Sequence, residues 1–301
     1  MAAGPAMPPA AKPPAGLSGE LPVLIAGPTA SGKSALALEL AARNGGIVIN
    51  ADALQVYADW RLLTARPSPA EEARAPHALY GHVPGDRAYS VGLWLRELAP
   101  LLEGDRQPII VGGTGLYFSA LTEGLAAIPP ISRQVREAAR ARLAEAGAGA
   151  LLAELDPATR ARIDPCNPRR VQRAWEVLRE TGRGLAAWQA ETPPPLLPLS
   201  RAQPLLLEAG REWLNARIAR RFEKMLESGL LEEARANRPG WSPQRPSAKA
   251  IGAAELMAFL DGRASLAETR AAVITATRQY AKRQRSWFRR RMSRWRPVAA
   301  G

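Results

Sequence analysis

A glycine-rich segment near the start of the chain has the residue types and spacing of a phosphate-binding loop. It matches G-x-x-x-x-G-K-[ST], follows an apolar run typical of a β-strand (21–26) and precedes a stretch of helical composition (33–43). Such a loop turns backbone N–H groups and a helix start toward phosphate oxygens, while the lysine adds charge and the hydroxyl can bind Mg²⁺. The residues predicted to hold a di- or triphosphate are Gly27, Pro28, Thr29, Ala30, Ser31, Gly32, Lys33 and Ser34.

Asp52 is the acid nearest the end of a second predicted strand, 47–50. A nucleotide hydrolase usually ends another buried strand in an aspartate that binds magnesium, but the third predicted strand, 108–111, runs into Gly112, Gly113 and Thr114. Asp52 could therefore be a metal ligand, the base for a second substrate, or a cap for the following turn. Loop and acid alone leave these three roles open.

The elements that must position these residues follow from the apolar pattern. The runs at 21–26, 47–50 and 108–111 are short, continuous and bounded by polar or glycine-rich turns, which is typical of buried strands in a parallel sheet. A further run at 205–207 is expected to resume the sheet before a helix at 211–228. The sequence predicts an α/β fold with a P-loop core and a parallel sheet.

Between the two parts of this core the pattern becomes helical. Alanines and arginines recur at helical spacing over 132–146, and Asp156 and Asn167 each precede a proline, as capping residues at helix starts do. We therefore expect a catalytic core at 21–124 and 201–296 and a helical insertion at 125–200. Residues 1–20 are expected to form a disordered tail and 297–301 a second tail.

Composition excludes several classes of protein. A hydrophobic content of 47% excludes disorder throughout, and one cysteine, Cys166, with two histidines does not make the ligand cluster of a structural zinc site. No run is long and apolar enough to span a bilayer, and the first twenty residues lack the apolar block of a signal peptide. We expect a cytoplasmic protein in a reducing compartment that does not bind membranes.

The positive charge is concentrated at the carboxyl end. Residues 201–301 contain 21 lysines and arginines against nine acids, so they carry +12 of the formal charge of +13. Residues 270–296 hold ten of these basic residues, no acid, and four aromatic residues that either stack on bases or face the core, with the core favoured. A basic region of this kind favours RNA over a small acceptor.

Five blocks, in order over nearly the whole chain, resemble the bacterial tRNA dimethylallyltransferase family. They are residues 27–34, 52–57, 112–117, 167–176 and 277–289. The resemblance implies a P-loop fold with a helical insertion that binds the anticodon stem-loop of tRNA. It also implies an enzyme that transfers a dimethylallyl group from dimethylallyl diphosphate to the exocyclic amine of the adenosine 3′ of the anticodon, releasing diphosphate. We expect this enzyme to be a monomer, although the sequence does not decide its oligomeric state.

The resemblance also assigns roles to residues. It implies that the loop holds the donor diphosphate in place of ATP, with Lys33 stabilising the leaving group and Mg²⁺ at Ser34. Asp52 matches the catalytic aspartate that accepts a proton from the amine, and Thr114 matches a residue between donor and tRNA. The positions that match tRNA contacts are Asp52, Ala53, Leu54, Gln55, Thr114, Arg136, Arg169, Arg170, Val171, Gln172, Arg173, Lys249, Ile251, Gly252, Arg278, Lys282 and Arg283.

Three positions depart from the family pattern. Ala53, Ala78 and Ala253 stand where serine, histidine and tyrosine are usual, so a hydroxyl, an imidazole and an aromatic ring are missing from the expected neighbourhood. The loop, Asp52 and Thr114 are intact. The departures therefore concern local contacts and leave the expected class of enzyme unchanged.

Three other functions account for part of the pattern. A nucleoside or nucleotide kinase shares the loop, the acid and the core, but it needs ATP and leaves the insertion and the basic third unexplained. Prenyl transfer to free AMP uses the same donor site without tRNA. A non-catalytic RNA-binding protein explains the charge, but it leaves Asp52 and the phosphate loop without a purpose.

Overall fold

The computed structural model describes residues 12–300 as a parallel β-sheet flanked by helices and a separate helical unit. The strands are β1 (Val23–Ala26), β2 (Ile47–Asn50), β3 (His77–Ala78), β4 (Pro108–Gly112), β5 (Gln203–Glu208) and β6 (Arg296–Ala299). The helices are α1 (Lys33–Asn44), α2 (Pro69–Glu72), α3 (Val91–Leu102), α4 (Gly115–Glu123), α5 (Arg133–Ala153), α6 (Pro157–Arg162), α7 (Pro168–Thr181), α8 (Leu185–Ala190), α9 (Arg211–Glu227), α10 (Leu230–Asn237), α11 (Ala253–Leu260) and α12 (Leu266–Arg291).

The strands form one sheet in the order β3-β2-β4-β1-β5-β6, and every neighbouring pair is parallel. Side chains alternate between the two faces of the sheet, so Val23 and Ile25 pack with α1 while Leu24 and Ala26 face the layer of Phe118 and its neighbours. Both faces are therefore buried. This confirms the strands predicted from continuous apolar runs.

The order of the strands decides which loops meet. The carboxyl ends of parallel strands lie at one edge of the sheet, and β2, β4, β1 and β5 are consecutive neighbours there. Asp52 follows β2, Gly113 and Thr114 follow β4, and the phosphate loop follows β1. Three segments that are distant in the sequence thus converge at this edge.

Two expectations about the ends of the chain are wrong. Residues 297–299 are not a tail but part of β6, because Val298 completes the sheet beside β5 and packs into the core. Within the expected disordered tail, residues 12–20 contact the core, since the Ser18 N–H donates to Gln203 Oε1 (2.6 Å) and the Ser18 carbonyl accepts from Gln107 Nε2 (2.7 Å). Residues 1–11 lie outside the described part.

A layer of helices from α9 to α12 completes this first unit, which spans 12–122 and 197–300. Its apolar centre includes Leu63, Phe222, Met257 and Val273. The 26-residue helix α12 begins with a capping box in which the Ser265 hydroxyl accepts from the Glu268 N–H. No helix within residues 12–300 is long and apolar enough to cross a membrane.

The aromatic residues of the basic segment mainly face the interior, as expected. Phe288 and Trp295 are buried in the sheet core, and Trp287 packs against the same cluster. Tyr280 is half-buried and lines the cleft described below. The arginines between them are therefore left on the outer faces of α12.

The second unit, Glu123–Leu196, has its own core between α5 and α7. The side chains of Asp156 and Asn167 accept hydrogen bonds from the N–H groups of Thr159 and Arg170, which confirms both predicted caps. Glu154, at the end of α5, accepts from Trp175 Nε1 (2.7 Å) and Arg179 Nη2 (2.7 Å) through Oε2 and from Arg142 through Oε1. One carboxylate thus ties α5 to α7.

We predict that Glu154→Gln destabilises this unit by about 1–2 kcal/mol at neutral pH, because hydrogen bonds to a charged acceptor are lost from a site that solvent partly screens. The bond to Trp175 and the bonds to arginines lower the pKa of Glu154 from 4.5 to about 2. A lowered folded pKa stabilises the fold above about pH 4.5, and this contribution is lost as the pH falls toward 2. Urea unfolding followed by tryptophan fluorescence at pH 7 and pH 2 measures both effects.

The matched control is Glu145→Gln, because Glu145 is 77% exposed and comes no closer than 4.0 Å to the same Arg142. It should unfold almost as the wild type does. Equal effects of the two substitutions at pH 7, or a Glu154 effect that persists undiminished at pH 2, would contradict the assignment.

Candidate active site

The phosphate loop lies between β1 and α1, and its backbone adopts the conformation that glycine-rich loops use to hold anions. Gly32 has φ 92°, which a side chain disfavours, and it forms the start of α1 without a side-chain cap. Ala30 has φ 64°, and its carbonyl accepts from Arg217 Nε at 2.8 Å. The arginine helps to hold this strained turn, and the first N–H groups of α1 are left for a ligand.

Lys33 stands where the loop enters α1, with Nζ 3.5 Å from the Pro28 carbonyl. Burial lowers the pKa of Lys33 to about 8, the nearby Asp52 carboxylate opposes this shift, and Arg221 adds to it. The lysine is therefore held at a cost in solvation that a bound anion would offset.

Two arginines that sequence reasoning did not single out complete this positive cluster. Arg221 Nη2 donates to Thr29 Oγ1 at 2.8 Å, one helical turn beyond Arg217 on α9. Burial lowers the pKa of Arg221 to about 10, while Asp52 raises it and Arg217 lowers it. The available signal was the i, i+4 spacing of the arginines on the helix that follows β5, but only the order of the strands brings that helix to the loop.

The Ser31 side chain is buried inside the loop. Its Oγ lies on the side of Gly27 and has no hydrogen-bond partner among the described residues. A buried hydroxyl without a partner costs about 1–3 kcal/mol. Ser31 does not line the cleft described below.

Asp52 is fixed by its neighbours on one side and open on the other. Its N–H donates to Asn50 Oδ1 (2.8 Å), and its Oδ1 accepts from the Leu54 N–H (3.0 Å), so Asp52 does cap the turn that follows. Its Oδ2 has no hydrogen-bond partner within residues 12–300 and lies on the side of Gly113. That oxygen is available for proton transfer.

The acid and the phosphate loop open into one cleft. Its lining residues are Thr29, Asp52, Leu54, Leu63, Thr64, Arg221, Ile251, Thr277 and Tyr280. A bound anion held by Thr29 and Arg221 would therefore share the space with the carboxylate of Asp52. The arrangement suits a reaction in which an anion leaves one side of a carbon while a base acts on the nucleophile at the other.

Thr114 is tied into the same region. Its Oγ1 accepts from the Ala53 N–H at 3.0 Å. Since the backbone of residue 53 makes this contact, the alanine at this position preserves it. Thr114 thus joins the turn after β4 to the turn that holds Asp52.

The predicted RNA contacts in this unit have different surroundings. Gln55 donates both amide hydrogens to the carbonyls of Thr64 and Ala65, which leaves only its oxygen for a base edge. Lys249 is exposed and Ile251 lines the cleft. Gly252 is buried, and a Cβ at this position would lie about 3 Å from the side chains of Leu63 and Val273.

A basic groove runs between α9 and α12, and we call it the α9–α12 groove. It contains the predicted Arg278 and Lys282 and continues through Arg285 and Arg289 into a second hollow that reaches Pro28 of the loop. Arg270, on the same helix, pairs with Glu223, but the groove cations form no ion pair with any described residue. The groove cations are Arg211, Arg278, Lys282, Arg285 and Arg289. Arg283, also predicted, is exposed outside it, with its guanidinium over the Tyr280 ring.

In the insertion the predicted contacts divide into exposed and packed residues. Arg136, Arg169 and Arg170 are exposed. Gln172 and Arg173 both turn toward Glu176, at 2.8 and 3.9 Å. The predicted RNA contact of Val171 is wrong. Val171 is fully buried in the core between α5 and α7, where hydrophobic burial holds it, and it has no surface for RNA.

The residues present fit a magnesium ion that arrives with a diphosphate. Ser34 is exposed at the start of α1 and its hydroxyl has no partner in the described chain. Residues 12–300 contain no cluster of three acidic, histidine or cysteine side chains that would cage a metal by themselves. Magnesium commonly takes one or two protein oxygens and completes its shell with phosphate oxygens and water.

Comparison with known proteins agrees with this geometry. Residues 55–291 match the family model described as IPP transferase, and residues 22–76 match the one described as Isopentenyl transferase. The chain is 61% identical to the tRNA dimethylallyltransferase of Dinoroseobacter shibae over 95% of this chain and 97% of that protein. It is 62% identical to the one from Cereibacter sphaeroides strain ATCC 17029 over 92% and 88%.

Solved structures are similar over most of the chain. The tRNA isopentenylpyrophosphate transferase of Bacillus halodurans has 32% identity and a TM-score of 0.66, with 93% of this chain and 90% of that chain covered. A eukaryotic dimethylallyltransferase acting on tRNA has 28% identity and a TM-score of 0.76, with 89% and 69% covered. With its P-loop, its cleft acid and these relatives, the chain belongs to the IPP transferase family of tRNA dimethylallyltransferases.

Proposed function

We propose that this enzyme transfers a dimethylallyl group from dimethylallyl diphosphate to the exocyclic amine of the adenosine 3′ of the anticodon in tRNA. The observation that carries the proposal is the cleft shared by Thr29 of the phosphate loop and Asp52. A loop that holds a leaving diphosphate and a free carboxylate oxygen in the same space provides for both ends of an alkyl transfer.

The reaction breaks the bond between the allylic carbon and the diphosphate oxygen, and the electron pair leaves with the diphosphate. Lys33, Arg221 and the loop amides stabilise the charge that grows on this leaving group. The adenine nitrogen forms the new bond to the allylic carbon, and Asp52 Oδ2 accepts the proton that the nitrogen gives up. The products are prenylated tRNA and diphosphate.

Magnesium would be held by the Ser34 hydroxyl, and it would neutralise charge on the diphosphate. The other contacts that hold the phosphate loop come from arginines of the chain. Arg217 supports the turn at Ala30, and Arg221 orients the Thr29 hydroxyl.

The acceptor is proposed to be the anticodon stem-loop of tRNA. The α9–α12 groove supports this reading, because its cations form no ion pairs in the described chain and adjoin Pro28 of the phosphate loop. Phosphate contacts of such cations release counterions and strengthen binding. Exposed arginines of the insertion, including Arg136, Arg169 and Arg170, are proposed to contact the same RNA.

We further propose that the enzyme acts as a monomer in the cytoplasm. The free Cys166 is exposed, which suits a reducing compartment.

We predict that Asp52→Asn lowers the rate of transfer by about 10²–10⁴-fold, because an amide cannot accept the proton. The purified protein with Mg²⁺ and radiolabelled dimethylallyl diphosphate is offered an unmodified stem-loop, AMP, or no acceptor. Label should move to the stem-loop alone. Asp86→Asn, at a side chain that is 66% exposed, should retain the rate of the wild type.

Each alternative outcome changes the conclusion. Label in AMP would identify a free-nucleotide acceptor, and no label in either acceptor would refute prenyl transfer to adenine. Transfer by Asp52→Asn at the wild-type rate would remove Asp52 from the role of base.

We predict that Arg221→Gln weakens the binding of inorganic diphosphate by about 10–100-fold, which corresponds to the roughly 1.5–3 kcal/mol of a hydrogen bond to a charged group. Isothermal titration calorimetry with Mg²⁺ present measures this affinity. The control is Arg220→Gln, the preceding residue of α9, which makes no hydrogen bond to the loop within the described chain. Equal losses in both variants would mean that general positive charge, rather than the contact with Thr29, holds the anion.

We predict that replacing Arg285 and Arg289 together by glutamine weakens stem-loop binding and reduces the slope of log K against log salt by about 1.4–1.8. Filter binding over a series of KCl concentrations gives the slope. The control, Arg43→Gln with Arg106→Gln, removes the same charge from positions flanking the amino ends of β2 and β4. If the control lowers the slope as much, the groove is not the RNA site.

A further inference from the structure

Gln284 is a buried amide that touches both halves of the cleft. Its side chain lies on α12 and the residue is 5% exposed. Its Oε1 accepts from the Thr29 N–H at 2.8 Å, and its Nε2 donates to the Gly113 carbonyl at 2.9 Å. One side chain thus bridges the loop that follows β1 and the turn that follows β4.

Each of these contacts leads to a group that the proposed reaction uses. Thr29 belongs to the phosphate loop and orients toward Arg221. Gly113 precedes Thr114, whose hydroxyl accepts from the Ala53 N–H beside Asp52. Gln284 therefore stands between the group that holds the leaving diphosphate and the group that holds the base.

Gly113 lies close to the side chains of both Gln284 and Asp52. A Cβ at Gly113 would lie 2.3 Å from Gln284 Nε2 and 3.3 Å from Asp52 Oδ2, so a side chain at this position would displace the end of the Gln284 amide. Tyr280, one turn earlier on α12, lines the same cleft as Thr29 and Asp52.

The chemistry of the amide suits this place. The amide is neutral, so it adds no charge between the cations of the loop and Asp52. It also carries an acceptor, Oε1, and a donor, Nε2, at the end of one side chain. Glutamate would accept from Thr29 but could not donate to Gly113. Leucine has a similar size and can make neither bond.

We propose that Gln284 is a positioning residue that sets the separation between the donor diphosphate and Asp52. This inference rests on the proposed transfer reaction. It means that the rate of transfer depends on Gln284 while the binding of diphosphate or of RNA alone does not, because each substrate has its own contacts. Misplacing reacting groups by about 1 Å can cost on the order of 100-fold in rate.

The chain offers a matched control in Gln107, a second buried glutamine that bridges two segments. Gln107 is 7% exposed, its Nε2 donates to the Ser18 and Leu21 carbonyls, and its Oε1 accepts from Asn44 Nδ2. It lies immediately before β4, whereas Gly113 follows that strand. Replacing it should therefore cost stability at the edge of the sheet remote from the cleft.

The test compares Gln284→Leu, Gln284→Glu and Gln107→Leu with the wild type. Single-turnover transfer to the stem-loop at saturating donor, affinities for inorganic diphosphate and stem-loop, and Tm are measured for each. We expect both Gln284 variants to lose about 100-fold in transfer rate at saturating donor. Both affinities should stay close to wild type in Gln284→Leu, whereas the added charge of Gln284→Glu beside the loop should weaken diphosphate binding and leave stem-loop binding unchanged. Gln107→Leu should lower Tm and keep the rate.

The outcomes separate this inference from the proposed function. If the wild type transfers no prenyl group to RNA, the proposed function fails. If it does, and the Gln284 variants transfer at its rate, only the positioning role fails. Loss of diphosphate or RNA affinity by Gln284→Leu in proportion to the rate would overturn the inference in favour of a binding role, and an equal rate loss in Gln107→Leu would assign the effect to stability. Gln284→Glu keeps the size and one hydrogen bond, so it remains informative if Gln284→Leu does not fold.

Discussion

The active site depends on the parallel alignment of β2, β4, β1 and β5. In a parallel sheet every strand ends at the same edge, so the loops that follow neighbouring strands must meet there. That constraint puts Asp52, Gly113 and the phosphate loop side by side, and it delivers α9 with Arg217 and Arg221 from the next strand. If neighbouring strands were antiparallel, their carboxyl ends would lie at opposite edges of the sheet, and these groups would be separated by the length of a strand.

Positive charge at this edge of the sheet is only partly neutralised when no substrate is bound. Lys33, Arg217 and Arg221 crowd around the loop, and burial lowers the pKa of Lys33 and of Arg221. Asp52 opposes both shifts from across the cleft. A bound diphosphate would supply the missing negative charge, and it would leave the carboxylate free to act on a neutral amine.

Much of the fold followed from local patterns. Continuous apolar runs predicted the central strands, because a strand buried on both faces needs apolar side chains in both directions. Capping residues before proline predicted the starts of α6 and α7, because a side-chain oxygen and a missing N–H satisfy a helix terminus locally. The two terminal segments were misassigned, since β6 and the contacts of Ser18 depend on partners about 90 to 190 residues away.

The sequence by itself determined the phosphate loop, the acid that faces it, the basic carboxyl third and the family, because spacing and composition carry these features without knowledge of packing. The family resemblance implied a tRNA contact for Val171, although the residue is buried, and sequence reasoning passed over Arg217, Arg221 and Gln284. Only the tertiary structure decided the roles of these residues, because their contacts join positions that are 171 to 255 residues apart in the sequence, or depend on which face of a helix meets its neighbour.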